Sequence, residues 1–269
     1  MSKHKGRMAL GIVLAAVAAV CAVVAVDQYM KQKMAGDTYD NLRKEVVASS
    51  APLVTPEATS APESVVESVP ETPTPTPTEA IPVDFAALRA KCPDAYAWIT
   101  IPDTNVDYPI VQSATDNSYY LNHTSEGEAR IEGAIFTENI NSRDFTDPVT
   151  VVYGHNMRNG SMFRTLHKFE DRAFFESHRE FTVYTENAAH HYKIMAAVTH
   201  DNSHILNSND FSKPENVTNF LNLLLANKTQ SDIIDSEIST AGENGKLLIL
   251  STCNGNSDQR FLVIAKKEQ

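Results

Sequence analysis

LLILSTCNGNSDQRFLVIAKK, residues 247–267, contains two apolar runs of strand type, Leu247–Ser251 and Phe261–Ala265, joined by a short polar loop. Cys253 stands at one end of that loop and Arg260 at the other. Strand ends hold side chains rigidly while leaving them open to a ligand, so a lone thiol there, facing a guanidinium, is a candidate nucleophile. Such a thiol needs a base. Six more runs of the same kind precede these two: Ala97–Ile101, Tyr108–Gln112, Ala134–Thr137, Val149–Tyr153, Phe181–Thr185 and Tyr192–Thr199. Turn residues such as Pro102-Asp103, Gly133, Asp147-Pro148 and Glu186-Asn187 separate several of them, the pattern of an all-β barrel or sandwich.

Helical patches interrupt the series. A short amphipathic helix around Phe85 and Leu88 ends before Pro93. Residues 162–175 carry apolar side chains at Met162, Phe163, Leu166, Phe169, Ala173 and Phe174, and residues 214–228 carry Val217, Phe220, Leu221, Leu224 and Leu225 at helical spacing. Pro214 suits the first turn of the second. Both read as core-facing helices packed on the strands.

The chain divides into three parts. Met8–Val26 is free of charge and follows Lys3, Lys5 and Arg7. At 1.5 Å per residue, that run makes roughly 28 Å of helix, enough to cross a bilayer core. The basic flank puts the N-terminus in the cytoplasm and everything after Asp27 outside. Residues 1–26 therefore read as cytoplasmic tip and transmembrane anchor, with a cleaved signal peptide as the competing reading. Lipidation at Cys21 is disfavoured because Val20 precedes it where a small residue is expected. Residues 27–80 read as an extracellular linker, in which the polar segment to about Lys44 extends the helix. Ser49–Ala80 is rich in Pro, Thr, Ser, Ala, Val and Glu, includes PTPTPT at 73–78, and has nothing to bury. Residues 81–269 form the folded domain.

The net charge of −11 argues against nucleic acid as a partner, since polyanion binding needs clustered Lys and Arg and the body of the chain has no such cluster. Three cysteines, Cys21, Cys92 and Cys253, make neither a disulfide framework nor a zinc site, although a Cys92–Cys253 bridge is conceivable and would silence the thiol. No HExxH or Cys/His spacing suggests a metal, and no cofactor is expected. Of nine histidines, His167 and His178 fall in or beside a helical patch, His190 and His191 open a strand, His123, His200 and His204 sit in polar loops, and His4 precedes the apolar run. His155 differs. It follows the apolar run Val149–Tyr153 and Gly154, so it emerges at a strand end as Cys253 does. A Cys/His pair attacks carbonyls, the imidazolium protonating the leaving amine, and an always-charged Arg stabilises the oxyanion. Taken singly, a structural histidine and a surface ion pair for Arg260 are equally open readings.

The ordered motifs FAALRAKCPDAYAWITIPDTNVDYPIVQ (85–112), NSYYLNH (117–123), GAIF (133–136), VVYGHNMRNGSMF (151–163), LSTC (250–253) and RFLVIAK (260–266) together resemble a sortase, specifically class B. The resemblance implies an eight-stranded sortase-type β-barrel with short peripheral helices, preceded by an N-terminal transmembrane helix and a disordered linker. It implies a membrane-anchored cysteine transpeptidase at the cell membrane, single-pass, with its catalytic domain outside. Such an enzyme cleaves a C-terminal sorting motif after Thr, forms a Cys thioester, and transfers the protein to an amine of a peptidoglycan precursor peptide. By motif match Cys253 is the nucleophile, His155 the general acid and base, and Arg260 the oxyanion stabiliser. Asn117, Leu121 and Ser251 match substrate-groove positions. The partners implied are surface proteins bearing a sorting motif, the precursor amine and the membrane. Two features depart from the pattern: only seven positions separate Cys253 from Arg260, and Cys92 replaces a commonly polar residue and reads as a partly buried bystander. The alternatives are a pilin-polymerising sortase, in which a Lys of another protein supplies the amine, and a non-catalytic surface binding module on a stalk.

Overall fold

In the computed structural model, which describes the backbone of residues 2–47, 79–242, 245–256 and 258–268, nine strands alternate with short helices. They are β1 (Ala95–Thr100), β2 (Asp107–Val111), β3 (Ile135–Thr137), β4 (Val149–Tyr153), β5 (Glu180–Thr185), β6 (Ala189–Asp201), β7 (Ile233–Ile234), β8 (Leu247–Cys253) and β9 (Gln259–Lys267). The order β5-β1-β2-β3-β4-β8-β9-β6 closes on itself through a β5–β6 pairing, giving an eight-stranded barrel with β7 added at the edge of β6. All eight runs read in the sequence are strands. The two-residue β7 is too short to show a period of two. β6 is 13 residues long and serves both neighbours, Glu180–Tyr184 at one end and Gln259–Lys267 along most of its length, with a register shift between Ile194 and Ala196. A bulge of this kind bends a strand and lets a sheet close.

Two cores explain why the strands are apolar at successive positions. Side chains alternate across a strand. On β8, Leu248 and Leu250 join Val152, Val263 and Ala265 in one cluster, while Leu247 and Ile249 join Val149, Val151, Leu262 and Ile264 in the other. The second cluster is roofed by the helix Pro214–Ala226, which buries Val217, Phe220, Leu221 and Leu224. Pro214 occupies its first turn, as the sequence suggests. The single patch expected at 162–175 is two pieces, a 3-10 helix Arg164–Glu170 and an α-helix Arg172–Ser177. The break has a local cause: Asp171 takes an extended conformation and its side chain caps the second piece by accepting from Phe174 N.

At the N-terminus a helix α1 spans Ser2–Val46, extending the apolar run as the sequence suggests. Among the described residues no helix is long and apolar enough to cross a membrane. The side chains of residues 1–16, which hold the first half of the Met8–Val26 run, lie outside that description. The end of α1 docks on the barrel. Tyr39, Leu42 and Val46 are 3%, 2% and 1% exposed. Tyr39 packs edge-on against Tyr108 with ring centroids 5.1 Å apart, and its hydroxyl donates to Gly133 O at 2.8 Å. Arg43 pairs with Asp107 at 2.6 Å, Lys91 pairs with Glu45, and Asp84 N donates to Val46 O at 2.8 Å. Residues 39–47, read from the sequence as the start of a linker, therefore belong to the packed unit along with the domain read from 81. The Pro/Thr-rich stretch lies, from 48 to 78, outside the described residues.

Candidate active site

Sheet register brings the candidate residues together. β4 and β8 are parallel, with Val152 opposite Leu250 and Tyr153 opposite Ser251. Two residues beyond that last pair stand His155 and Cys253, at the same end of neighbouring strands, whose spacing is about 4.8 Å. β8 and β9 are antiparallel, and their last pair is Cys253 opposite Arg260. His155, Cys253 and Arg260 thus follow one another across three adjacent strands. His200 continues the row, opposite Arg260 on β6. The sequence reading left His200 in a loop, because the polar residues around it hide the end of a long strand.

Each member is held differently. Cys253 is a free, exposed thiol. Cys92 is also free, buried in the core, with Sγ directed at Ser125 Oγ at 3.4 Å, and burial pushes its thiol up to about 11. The conceivable Cys92–Cys253 bridge is absent. His155 Nε2 lies 2.7 Å from Leu121 O. A carbonyl only accepts, so Nε2 carries a proton in this arrangement and Nδ1 is the nitrogen open to exchange one with the thiol. The main chain of His155 is pinned on both sides, by Gly154 N donating to Ser251 O at 3.1 Å and by Phe163 N donating to His155 O at 2.9 Å. Gly154 admits no side chain: a Cβ there would lie 2.5 Å from Ile135 Cδ1 and 2.7 Å from Phe163 Cδ2. Arg260 Nη1 donates to Gln259 O at 2.9 Å.

Beside this row lies a cavity of about 370 Å³. Asn117, Leu121, Ser251 and Arg260 all line it. Asn117 Oδ1 accepts from Asn139 N at 2.8 Å, Leu121 is half exposed, and Ser251 is buried. The cavity also holds Glu138, Tyr153 and His204, which no sequence pattern connects. His204 Nδ1 accepts from Asn207 N at 3.1 Å, so its proton sits on Nε2, which donates to Glu138 Oε1 at 2.8 Å. Burial, with the Glu138 carboxylate adding to it, pushes the Tyr153 phenol well above its ordinary value. The cavity is thus a groove with apolar walls from Phe136, Leu121 and Ile205, a buried carboxylate and one guanidinium. Among the described residues no cluster of three or more His, Cys, Asp or Glu is placed to hold a metal.

An exposed thiol in register with a guanidinium on one side and an imidazole on the other stands beside a cavity that Arg260 lines, though neither Cys253 nor His155 lines it. Thiol, imidazole and guanidinium are the groups that acyl transfer uses. A family model of the sortase domain matches residues 99–268. This chain belongs to the sortase family. Its similarity is to class B members. Sortase B of Listeria monocytogenes serovar 1/2a is 35% identical over 165 residues, a match spanning 61% of this chain and 65% of that protein, just under two thirds of its length. The crystal structure of Clostridium perfringens sortase B superposes with a TM-score of 0.61 at 29% identity, covering 69% of this chain and 100% of that one. A Streptococcus pyogenes class B sortase described as involved in pilus biogenesis superposes with a TM-score of 0.56 at 31% identity, covering 69% and 98%.

Two further residues lie close to Cys253. Asn156 Nδ2 donates to Cys253 O at 2.7 Å, and His167 Nε2 lies 3.1 Å from the same oxygen. Asn156 could have been suspected from its place directly after His155. His167 could not, since its helical surroundings give the ordinary signal of packing.

Proposed function

We propose that this sortase-family chain is a membrane-anchored cysteine transpeptidase that cleaves a C-terminal sorting motif after Thr and transfers the protein to an amine of a cell-wall peptide precursor. The observation that carries the reading is the register row of His155, Cys253 and Arg260 at one end of three adjacent strands, beside the groove. In the first step the Cys253 thiol gives its proton to His155, and Sγ bonds to the Thr carbonyl carbon. Arg260 stabilises the oxyanion. The C–N bond then breaks, with the proton passing from His155 to the leaving amine, and a thioester remains. An incoming amine gives a proton to His155, attacks the thioester and displaces Sγ, which recovers that proton.

Anchoring is supported by the uncharged run Met8–Val26, the basic residues before it, and the continuity of α1 from the run to the barrel surface. A membrane-impermeant thiol reagent applied to intact cells expressing the full chain should label Cys253; labelling only after lysis would place the domain inside. The activity test offers the full-length protein a panel of LPxTG-like and NPxTx-like fluorogenic peptides, with and without a short peptide amine. Cleavage that the amine accelerates, with formation of a ligated product, is expected; cleavage of none of them by a folded protein would contradict the reading. A second reading, polymerisation of pilin subunits, is favoured by the likeness to the Streptococcus pyogenes enzyme. Offering a wall-peptide amine and a pilin domain in competition separates the two by which product accumulates.

A further inference from the structure

The parallel ladder between β4 and β8 ends where the chemistry begins. Gly154 N donates to Ser251 O at 3.1 Å, the last main-chain bond from this side onto β8. Two residues later on each strand, the equivalent acceptor is Cys253 O and the equivalent donor would be the main chain of residue 156. That segment has turned away, with Asn156 bridged to Met162. In place of the main-chain donor, the Asn156 side chain supplies the bond, Nδ2 to Cys253 O at 2.7 Å. A strand end with an unmet carbonyl would otherwise fray into solvent.

Asn156 is itself held at both ends of its amide. Arg164 Nη1 donates to Oδ1 at 3.1 Å, which fixes the amide with its NH2 toward Cys253. The amide nitrogen also lies 3.0 Å from His167 Nε2. His167 Nδ1 lies 2.7 Å from Glu170 Oε1 and its Nε2 lies 3.1 Å from Cys253 O, so the ring spans from that carboxylate to the same carbonyl that Asn156 holds. The ring cannot swing freely: it stacks on Phe261 at a centroid distance of 4.6 Å and an angle of 19°. Phe261 is paired with Thr252, the residue before the thiol.

We infer that Asn156 is a positioning residue for the nucleophile: with His167, Glu170 and Arg164 it forms a side-chain extension of the β4–β8 ladder that clamps the Cys253 main chain and so fixes the direction of Sγ. This rests on the reading that Cys253 is the nucleophile. The clamp touches neither substrate nor the reacting atoms. Its loss should therefore appear in turnover rather than in peptide affinity.

The test uses the full-length protein with a cleavable sorting peptide, comparing wild type, Asn156→Asp, Glu170→Gln and Cys253→Ala. Asn156→Asp keeps the size of the side chain and replaces the donor with an acceptor facing Cys253 O. It should lower kcat about tenfold or more while leaving KM within about twofold. Glu170 has a half-exposed side chain, so Glu170→Gln will fold. It should lower kcat by about threefold with KM again unchanged. Wild-type kcat in both variants, or a raised KM at unchanged kcat, overturns the clamp. Should Asn156→Asp fail to fold, Glu170→Gln decides alone. A wild type as inert as Cys253→Ala would instead remove the nucleophile reading. The alkylation rate of Cys253 in Asn156→Asp then still decides: a change from wild type upholds the clamp and equality overturns it.

Discussion

Cys253 and Cys92 are the same group in two surroundings, and the difference between them is physical. Cys92 is buried with its thiol pushed up to about 11, while Cys253 sits exposed at a strand end. Alkylation of the folded protein at pH 8 should therefore modify Cys253 and spare Cys92, with Cys92 reacting only after denaturation; peptide mapping reads both. Arg260 is the other residue with a proposed role that can be tested directly. Its fixed positive charge stands one strand from the thiol, and removal of one oxyanion donor costs about 10² to 10³ in kcat. Arg260→Ala should show a loss of that order in steady-state peptide cleavage, with Cys253 still alkylated. His155, Cys253 and Arg260 were legible because each follows or opens an apolar run and each falls in a recognisable motif. Glu138, His204 and His167 were not, because the bonds that place them cross from one segment to another: His204 meets Glu138 across 66 positions and His167 meets Cys253 across 86. No local pattern encodes such a pairing.

Among the elements, the segment from Tyr119 to Gly133 ties His155 to the rest of the molecule. Leu121 O accepts a hydrogen bond from His155 Nε2, and Gly133, at the far end, has a φ of +58°. A Cβ on Gly133 would lie 2.5 Å from Tyr120 O and 2.8 Å from Leu121 O. Gly133→Ala should destabilise the fold by about 1–3 kcal/mol. By shifting Leu121 it should also lower kcat, while the conservative Ala134→Gly should not; urea unfolding and peptide cleavage check the two effects. Gly133 O is also where Tyr39 of α1 donates its hydroxyl, so α1 and His155 share a support. The docking of α1 is the part of the fold the sequence hid most completely. Residues 27–46 look polar because, among those whose side chains are described, only the stripe of Tyr39, Leu42 and Val46 is buried. Leu42→Ala in the full chain should cost about 2–5 kcal/mol if that stripe packs as described. A loss below about 0.5 kcal/mol in urea unfolding, as for an exposed substitution, would show the helix end undocked.

For the whole molecule, eight strand runs were readable because each is apolar and bounded by turn residues, and closure into a barrel follows once β5 and β6 pair. The strand pattern left barrel and sandwich open, and only the motif resemblance pointed to the barrel. The choice is made by non-local facts, chiefly the length and bulge of β6, which reaches both β5 and β9. Closure matters to function because it fixes the β4-β8-β9 row. His155, 98 positions before Cys253, is brought level with Cys253 and Arg260 only because the three strands stand in that order. The central claim is that this row performs acyl transfer through the thiol. The most direct measurement is the intact mass of the full-length protein after incubation with a sorting peptide, without an acceptor amine and with a rapid acid quench. The wild type should gain the mass of the peptide's N-terminal fragment, ending at Thr, on Cys253, and hydroxylamine should release that fragment as the hydroxamate. Cys253→Ala should gain nothing and cleave nothing. Cleavage that persists in Cys253→Ala, or turnover by the wild type without any adduct at Cys253, would contradict the account.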